Sequence, residues 1–154
     1  MNNLGIALAL LAPGVVKAAA LAPTQDFLYA IRVVESGDNY NCPTGPYGER
    51  GPYQFRRAVW QEYTSAPFYR ARTAYADVVA ERHYDWIVHV LSDRGLRPTV
   101  YNVAEAWNGG VGAVIRGRIP SATRGYASRV VNIVEEEAHV RAAETPRYRV
   151  AYAQ

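Results

Sequence analysis

The feature that most constrains the fold of this chain is the alternation of helical hydrophobic periodicity with short stretches rich in glycine and proline. The first periodic segment begins after Thr24, which can cap a helix, and ends at Gly37. Similar periodicity returns at about residues 54–63, 76–91, 99–107 and 123–140. Because each amphipathic segment must bury one face against another element, the pattern predicts a mainly α-helical domain.

The longest interruption is residues 37–52, with the sequence GDNYNCPTGPYGERGP. So much Gly, Pro, Asn and Asp cannot hold a long helix. We expect a turn-rich loop or a small β-element there. The predicted fold class is therefore mainly α, with a minor β contribution of the α+β kind.

The length of 154 residues suits one domain. Residues 1–22 are nearly uncharged, and an apolar run at 4–12 is followed by small residues at 18–20. This run is shorter than the roughly 20 residues that span a bilayer, so the segment is typical of a signal peptide, the alternative being an N-terminal core or anchor helix. We expect the domain at 23–141, a tail at 142–154, and an exported protein, periplasmic or extracellular, without a stable membrane span after signal removal.

The composition argues against several classes of site. A single cysteine, Cys42, excludes an intramolecular disulfide and is expected to be an inert, partly buried thiol. His83 and His89 do not stand at i, i+4 and His139 stands alone, so we expect no metal site, and His83 is predicted to be a core residue. Neither a phosphate-binding glycine loop nor a Gly-x-Ser-x-Gly block occurs, and no cofactor is expected.

The net charge of +3 is weak, and nearly all the cations are scattered arginines. This balance suits an anionic polymer such as a cell wall and does not predict a nucleic-acid partner.

Glu35 is the most informative single residue. At about 100° per residue it lies roughly 80° from Phe27, within the apolar stripe of the first helix. Two interpretations are open: a buried structural acid paired with an arginine, or a general acid whose pKa is raised by desolvation.

The segments that follow Glu35 favour the second interpretation. Four blocks occur in order: Glu35-Ser36, Gly48-Glu49-Arg50-Gly51-Pro52-Tyr53-Gln54, Ala106-Trp107-Asn108-Gly109-Gly110 and Thr123-Arg124-Gly125-Tyr126. Together they resemble the blocks of the soluble lytic transglycosylase and goose-type lysozyme group of the lysozyme-like superfamily. The Gly-Pro-Tyr-Gln-Phe stretch followed by Trp60 is also similar to invertebrate-type lysozymes.

This resemblance implies a lysozyme-like fold and cleavage of the β-1,4 bond between N-acetylmuramic acid and N-acetylglucosamine. Glu35 would protonate the glycosidic oxygen, and peptidoglycan glycan strands would be the partner of a monomeric enzyme. The residues that would contact or approach the substrate are Ser36, Tyr53, Gln54, Trp107, Asn108 and Tyr126. Amides beside aromatic rings suit sugars, which present hydroxyl edges and apolar faces, although each aromatic could equally be a core residue.

The chain departs from the family pattern at Gly45, Glu49, the pair Pro52-Tyr53 before Gln54, and Trp107, which stands where a tyrosine is usual. Gly45 stands where a serine is usual, and Glu49 stands where alanine is usual in the transglycosylases. Glu49 and Asp38 are therefore candidates for a second carboxylate, which glycosidases generally use. We expect Asp38 to be a turn residue and Glu49 to pair with Arg50 in solvent.

The transglycosylase mechanism needs one acid only, as the resemblance implies. The substrate's N-acetyl group attacks the anomeric carbon, and its 6-hydroxyl then closes a 1,6-anhydro product. A lytic transglycosylase is thus the leading hypothesis. A hydrolytic lysozyme with a second carboxylate and a non-catalytic cell-wall-binding domain are the alternatives.

Overall fold

A computed structural model describes residues 24–144 of the chain. The predicted signal peptide, at 1–22, and residues 145–154 of the predicted tail lie outside the described residues. Those two expectations stay predictions.

The described part of the chain is built from helices. They are α1 (Thr24–Ser36), α2 (Arg57–Tyr63), α3 (Tyr75–Asp93), α4 (Val100–Gly109), α5 (Val111–Ile115) and α6 (Ser121–Glu144), with a 3₁₀ helix at Phe68–Arg72 between α2 and α3. The prediction of a mainly α fold is confirmed. Two short elements, the 3₁₀ helix and α5, were not predicted, because neither is long enough to show a hydrophobic period.

The segment after α1 is a turn-rich loop. Within the described residues its β-structure is limited to one isolated antiparallel bridge between Arg50 and Phe55. The bridge and the left-handed backbone of Gln54, with φ of +47°, keep the chain out of the helical conformation there. Helix α2 therefore begins at Arg57 and not near Gln54 as the periodicity predicted.

The helix ends follow local signals in the sequence. Gly37 adopts φ of +67° and its N–H bonds the carbonyl of Val33, so α1 ends where predicted. Thr99 accepts a hydrogen bond from the N–H of Asn102 and caps α4, which is followed by Gly110 with φ of +82°. Helix α6 continues to Glu144, beyond the expected domain boundary at residue 141.

The helices pack around one core. Helix α6 packs most extensively on α4 and then on α1, while α3 contacts both α1 and α4. The buried face of α1 consists of Phe27, Leu28, Ala30 and Ile31. This packing brings the last turn of α1, the loop, the middle of α3 and the end of α4 to one side of the domain.

None of the helices between residues 24 and 144 is both long enough and apolar enough to cross a bilayer.

Candidate active site

A cleft of about 590 Å³ opens where these four parts of the chain meet. The residues on its surface that matter for chemistry are Glu35, Glu49, Gln54, His83, Trp107 and Asn108. Two carboxylates, two amides, an imidazole and an indole thus converge on one concave surface.

Glu35 lies in the last turn of α1 and is largely shielded from solvent. Burial raises the pKa of Glu35 above its usual 4.5, and the charge of Glu49 raises it further. A hydrogen bond from Tyr126 and the charge of Arg129 act in the opposite direction without cancelling the rise. The Glu35 carboxyl therefore keeps its proton to a higher pH than an exposed glutamic acid.

Tyr126 lies behind Glu35 on α6. Its hydroxyl donates to Oε1 of Glu35 across 2.8 Å. The tyrosine is buried, and burial together with the charge of Glu35 holds the pKa of Tyr126 well above its usual value. Within residues 24–144 the hydrogen-bond donor to Glu35 is thus a neutral phenol, and Arg129 acts on the carboxyl through its charge.

Glu49 lies in the same cleft and is only 9% exposed. Its Oε1 accepts from Nε of Arg56 at 3.1 Å, and its Oε2 accepts from the N–H of Tyr47 at 2.8 Å. The expected pairing with Arg50 in solvent is wrong, because Arg50 lies over the ring of Phe68 instead. Burial disfavours the charged form of Glu49, but the backbone N–H groups and Arg56 together lower its pKa, so it is ionised.

Gln54 is held beside Glu49 with its amide nitrogen turned inward. Nε2 donates to the carbonyl of Gly51 at 2.9 Å and to Sγ of Cys42 at 3.0 Å. A Cβ atom on Gly45 would lie 2.5 Å from Oε2 of Glu49 and 2.9 Å from Oε1 of Gln54. The missing side chain at position 45 thus makes room for the carboxylate at position 49, so the residues at these two positions are spatially linked.

An aromatic wall lines the same cleft as the carboxylates. The Trp107 ring contacts Phe27, Tyr53, Phe55 and His83, the last at a centroid distance of 4.6 Å. Next to it, Oδ1 of Asn108 accepts from the hydroxyl of Thr123, so the rest of its exposed amide is left for a ligand.

Tyr53 belongs to this wall but is only 1% exposed. Its hydroxyl donates to Asp77 at 2.7 Å and accepts from Arg32 at 3.0 Å. The structure therefore does not support the predicted substrate contact of Tyr53, since its side chain is almost completely buried and both partners of its hydroxyl lie within the protein.

Besides Tyr126, which lies behind Glu35, two further candidate residues are absent from the cleft surface. The hydroxyl of Ser36 lies within hydrogen-bond distance of the carbonyl of Pro52 and accepts from the N–H of Asn39, so it joins α1 to the loop. Asp38 pairs with Arg32, one turn before the end of α1. The structure therefore supports neither Ser36 as a substrate ligand nor Asp38 as a second catalytic carboxylate.

His83 is a cleft residue that the sequence did not predict. It was expected in the core, and it is partly buried, with Nδ1 2.9 Å from the hydroxyl of Tyr63. Burial lowers the pKa of His83 to about 4, so the imidazole is neutral at neutral pH. The position of His83 in the helical hydrophobic period is that of a core residue. No signal in the sequence therefore distinguishes a cleft histidine from a core histidine.

Within residues 24–144, no group of three or more His, Cys, Asp or Glu side chains is placed to hold a metal ion.

Comparison with known protein families, with curated proteins and with solved structures finds no match to this chain. The likeness to the lysozyme-like superfamily is therefore carried by the sequence blocks alone. The structure adds an arrangement in which residues from all four blocks lie at or behind one cleft.

Proposed function

We propose that this protein cleaves the β-1,4 glycosidic bond between N-acetylmuramic acid and N-acetylglucosamine in peptidoglycan, with Glu35 as the general acid on a lysozyme-like fold. The observation that carries the proposal is the carboxyl of Glu35, which is partly buried at the cleft, hydrogen-bonded to Tyr126 and shifted toward its protonated form.

A glycosidic oxygen leaves as an alcohol only if it receives a proton as the bond breaks. A general acid must therefore hold its proton at the working pH and reach the leaving oxygen. Glu35 meets the first condition because its surroundings disfavour the carboxylate. It meets the second because it lines a cleft large enough for sugar rings.

The remaining surface of the cleft suits an N-acetylated sugar. Gln54 and Asn108 present amide groups that can bond to hydroxyl or acetamido groups. Trp107 presents a large ring to the apolar face of a sugar.

The partners of the two other candidate carboxylates, Asp38 and Glu49, support a lytic transglycosylase. Asp38 pairs with Arg32 away from the cleft, and both oxygens of Glu49 already accept hydrogen bonds. A carboxylate held in this way is a weak base. With one acid, the N-acetyl group of the substrate attacks the anomeric carbon while Glu35 protonates the leaving oxygen. The 6-hydroxyl then attacks the same carbon, displaces the acetamido oxygen from it and returns its proton to Glu35.

A hydrolytic lysozyme is the second candidate, and the position of Glu49 favours it. Glu35 and Glu49 share one cleft, and their surroundings shift their pKa values in opposite directions. A protonated acid beside an ionised carboxylate is the arrangement expected of a two-carboxylate glycosidase.

Mass spectrometry of the muropeptides released from purified cell walls tests the proposal. We expect 1,6-anhydro ends from the wild-type protein and no release by Glu35→Gln. Reducing ends would identify the hydrolytic candidate. No release by the wild-type protein, with binding to walls retained, would leave the cell-wall-binding domain as the function. The substrate lies outside the cytoplasmic membrane, in agreement with the predicted export, and the protein would act there as a monomer.

A further inference from the structure

We infer that the buried thiol of Cys42 is a positioning residue, which orients the Gln54 amide so that its oxygen accepts a hydrogen bond from a hydroxyl or acetamido N–H of the bound sugar. The inference rests on the proposed function and deepens it by naming the donor group that the cleft selects at this point.

The orientation of the Gln54 amide is determined by its neighbours. Nε2 lies 2.9 Å from the carbonyl oxygen of Gly51, which can only accept a hydrogen bond. If the amide were reversed, two oxygens would face each other. The nitrogen must therefore point into the loop, and Oε1 is turned to the opposite side.

Cys42 completes this arrangement. Its side chain is 5% exposed, and Sγ lies 3.0 Å from Nε2 of Gln54 and 3.2 Å from the carbonyl of Gly51. A thiol is both a weak donor and a weak acceptor. It can thus donate to the Gly51 carbonyl while it accepts from the amide, and it ties together the two groups that hold Gln54.

The backbone of Gln54 indicates that this orientation is imposed by its surroundings. Its φ of +47° is in the left-handed region, which residues other than glycine seldom adopt. Such a conformation persists only where neighbouring contacts hold it, and it is common at ligand-binding sites. The bonds from the Gln54 side chain to Cys42 and Gly51 supply contacts of this kind.

Oε1 of Gln54 is left as an open acceptor. Within residues 24–144, no group donates a hydrogen bond to it. Gly45 keeps this space clear, since a Cβ there would lie 2.9 Å from Oε1. An acceptor at the surface of a sugar-sized cleft selects a donor from its ligand, and N-acetylated sugars supply both hydroxyl and N–H donors.

A double-mutant cycle tests the inference. We would measure kcat and KM of Cys42→Ala, Gln54→Ala and the double variant on soluble glycan strands of N-acetylglucosamine and N-acetylmuramic acid. Loss of one oriented hydrogen bond should lower kcat/KM by about tenfold in each single variant. Because Cys42 acts through Gln54, Cys42→Ala should cause no further loss when Gln54 is already alanine.

Cys42→Ser is the conservative variant, since a hydroxyl also donates and accepts, and it should keep most of the activity. Gln61→Ala, on the exposed face of α2 and outside this cleft, is the matched control and should behave like the wild-type protein. The melting temperatures of all variants are recorded as well. A purely structural cysteine would lower stability, and its removal would lower activity by the same factor whether position 54 is glutamine or alanine.

The outcomes separate the inference from the proposed function. If the wild-type protein is active and the Cys42→Ala variant is unaffected, the inference alone is overturned. It is also overturned if Cys42→Ala causes the same loss whether position 54 is glutamine or alanine. If the wild-type protein cuts no strands, the same cycle is read from calorimetric binding of a tetrasaccharide of these two sugars. Absence of that binding would overturn both.

Discussion

The hydroxyl of Tyr126 donates a hydrogen bond of 2.8 Å to Oε1 of Glu35, a residue 91 positions earlier in the chain. The bond joins the buried face of α6 to the last turn of α1. Because burial keeps the phenol protonated, Tyr126 acts as a fixed donor. The protonation state of Glu35 therefore depends on the packing of two helices that are distant in sequence.

Glu35→Gln should abolish wall lysis while leaving the helical circular dichroism spectrum unchanged. The amide keeps the shape and can still accept from Tyr126, but it cannot supply the proton. General acid catalysis typically contributes about 10²–10⁴-fold, so the loss should be of this order in a muropeptide-release assay. Glu136→Gln, an exposed change on α6, serves as the control. Full activity of Glu35→Gln would refute the assignment of the acid.

The same variant should show a pH-dependent gain in stability. The folded-state pKa of Glu35 is raised above the usual 4.5, so the native state binds more protons than the unfolded state between these two values. Stability of the wild-type protein is therefore lost as the pH rises through that window. Glu35→Gln lacks this loss. Its melting temperature should exceed that of the wild type at pH 7, and the difference should vanish below pH 4.5.

Tyr126→Phe should move the alkaline limb of the pH–activity profile to higher pH. The hydroxyl stabilises the Glu35 carboxylate, so its removal raises the pKa of Glu35 further, and the acid keeps its proton longer. The profile of kcat/KM against pH measures this shift. Tyr69→Phe, at an exposed ring, should leave the limb in place. A shift of Tyr126→Phe toward lower pH would contradict the role of the bond.

Glu49→Gln should move the same limb in the opposite direction. The negative charge of Glu49 raises the pKa of Glu35, and its removal lets the acid ionise at lower pH. With one catalytic carboxylate, activity at the optimum should stay within about tenfold of the wild type, less than the loss of a general base would cause. Glu62→Gln, an exposed change on α2, is the matched control. A folded Glu49→Gln protein as inactive as Glu35→Gln would make the two-carboxylate lysozyme the better hypothesis.

The imidazole of His83 should remain neutral until the pH falls to about 4. Burial disfavours the charged form of the imidazole, which packs at a tilt against the ring of Trp107. Titration of the imidazole resonances by nuclear magnetic resonance measures this value, with His83→Phe used for assignment. A midpoint close to the ordinary 6.5 would show that the ring is more hydrated than its packing indicates.

Local information in the sequence was sufficient to predict the main helices and the position of Glu35 on the first of them. Helical periodicity repeats within four residues, so it can be recognised without knowledge of the rest of the chain. The same period that put Phe27 and Ile31 in the core put Glu35 on the apolar face of α1, and Gly37 ended that helix as predicted. The sequence could also identify the loop, because its residues exclude a long helix.

The partners of the polar side chains were decided only by the tertiary structure. Glu49 pairs with Arg56 instead of its neighbour Arg50, and Asp38 turns to Arg32. His83 lines the cleft although its spacing is that of a core residue. Spacing along the chain cannot predict these contacts. They depend on the path of the loop through the left-handed backbone of Gln54 and on how α3, α4 and α6 pack, which are interactions between residues far apart in sequence.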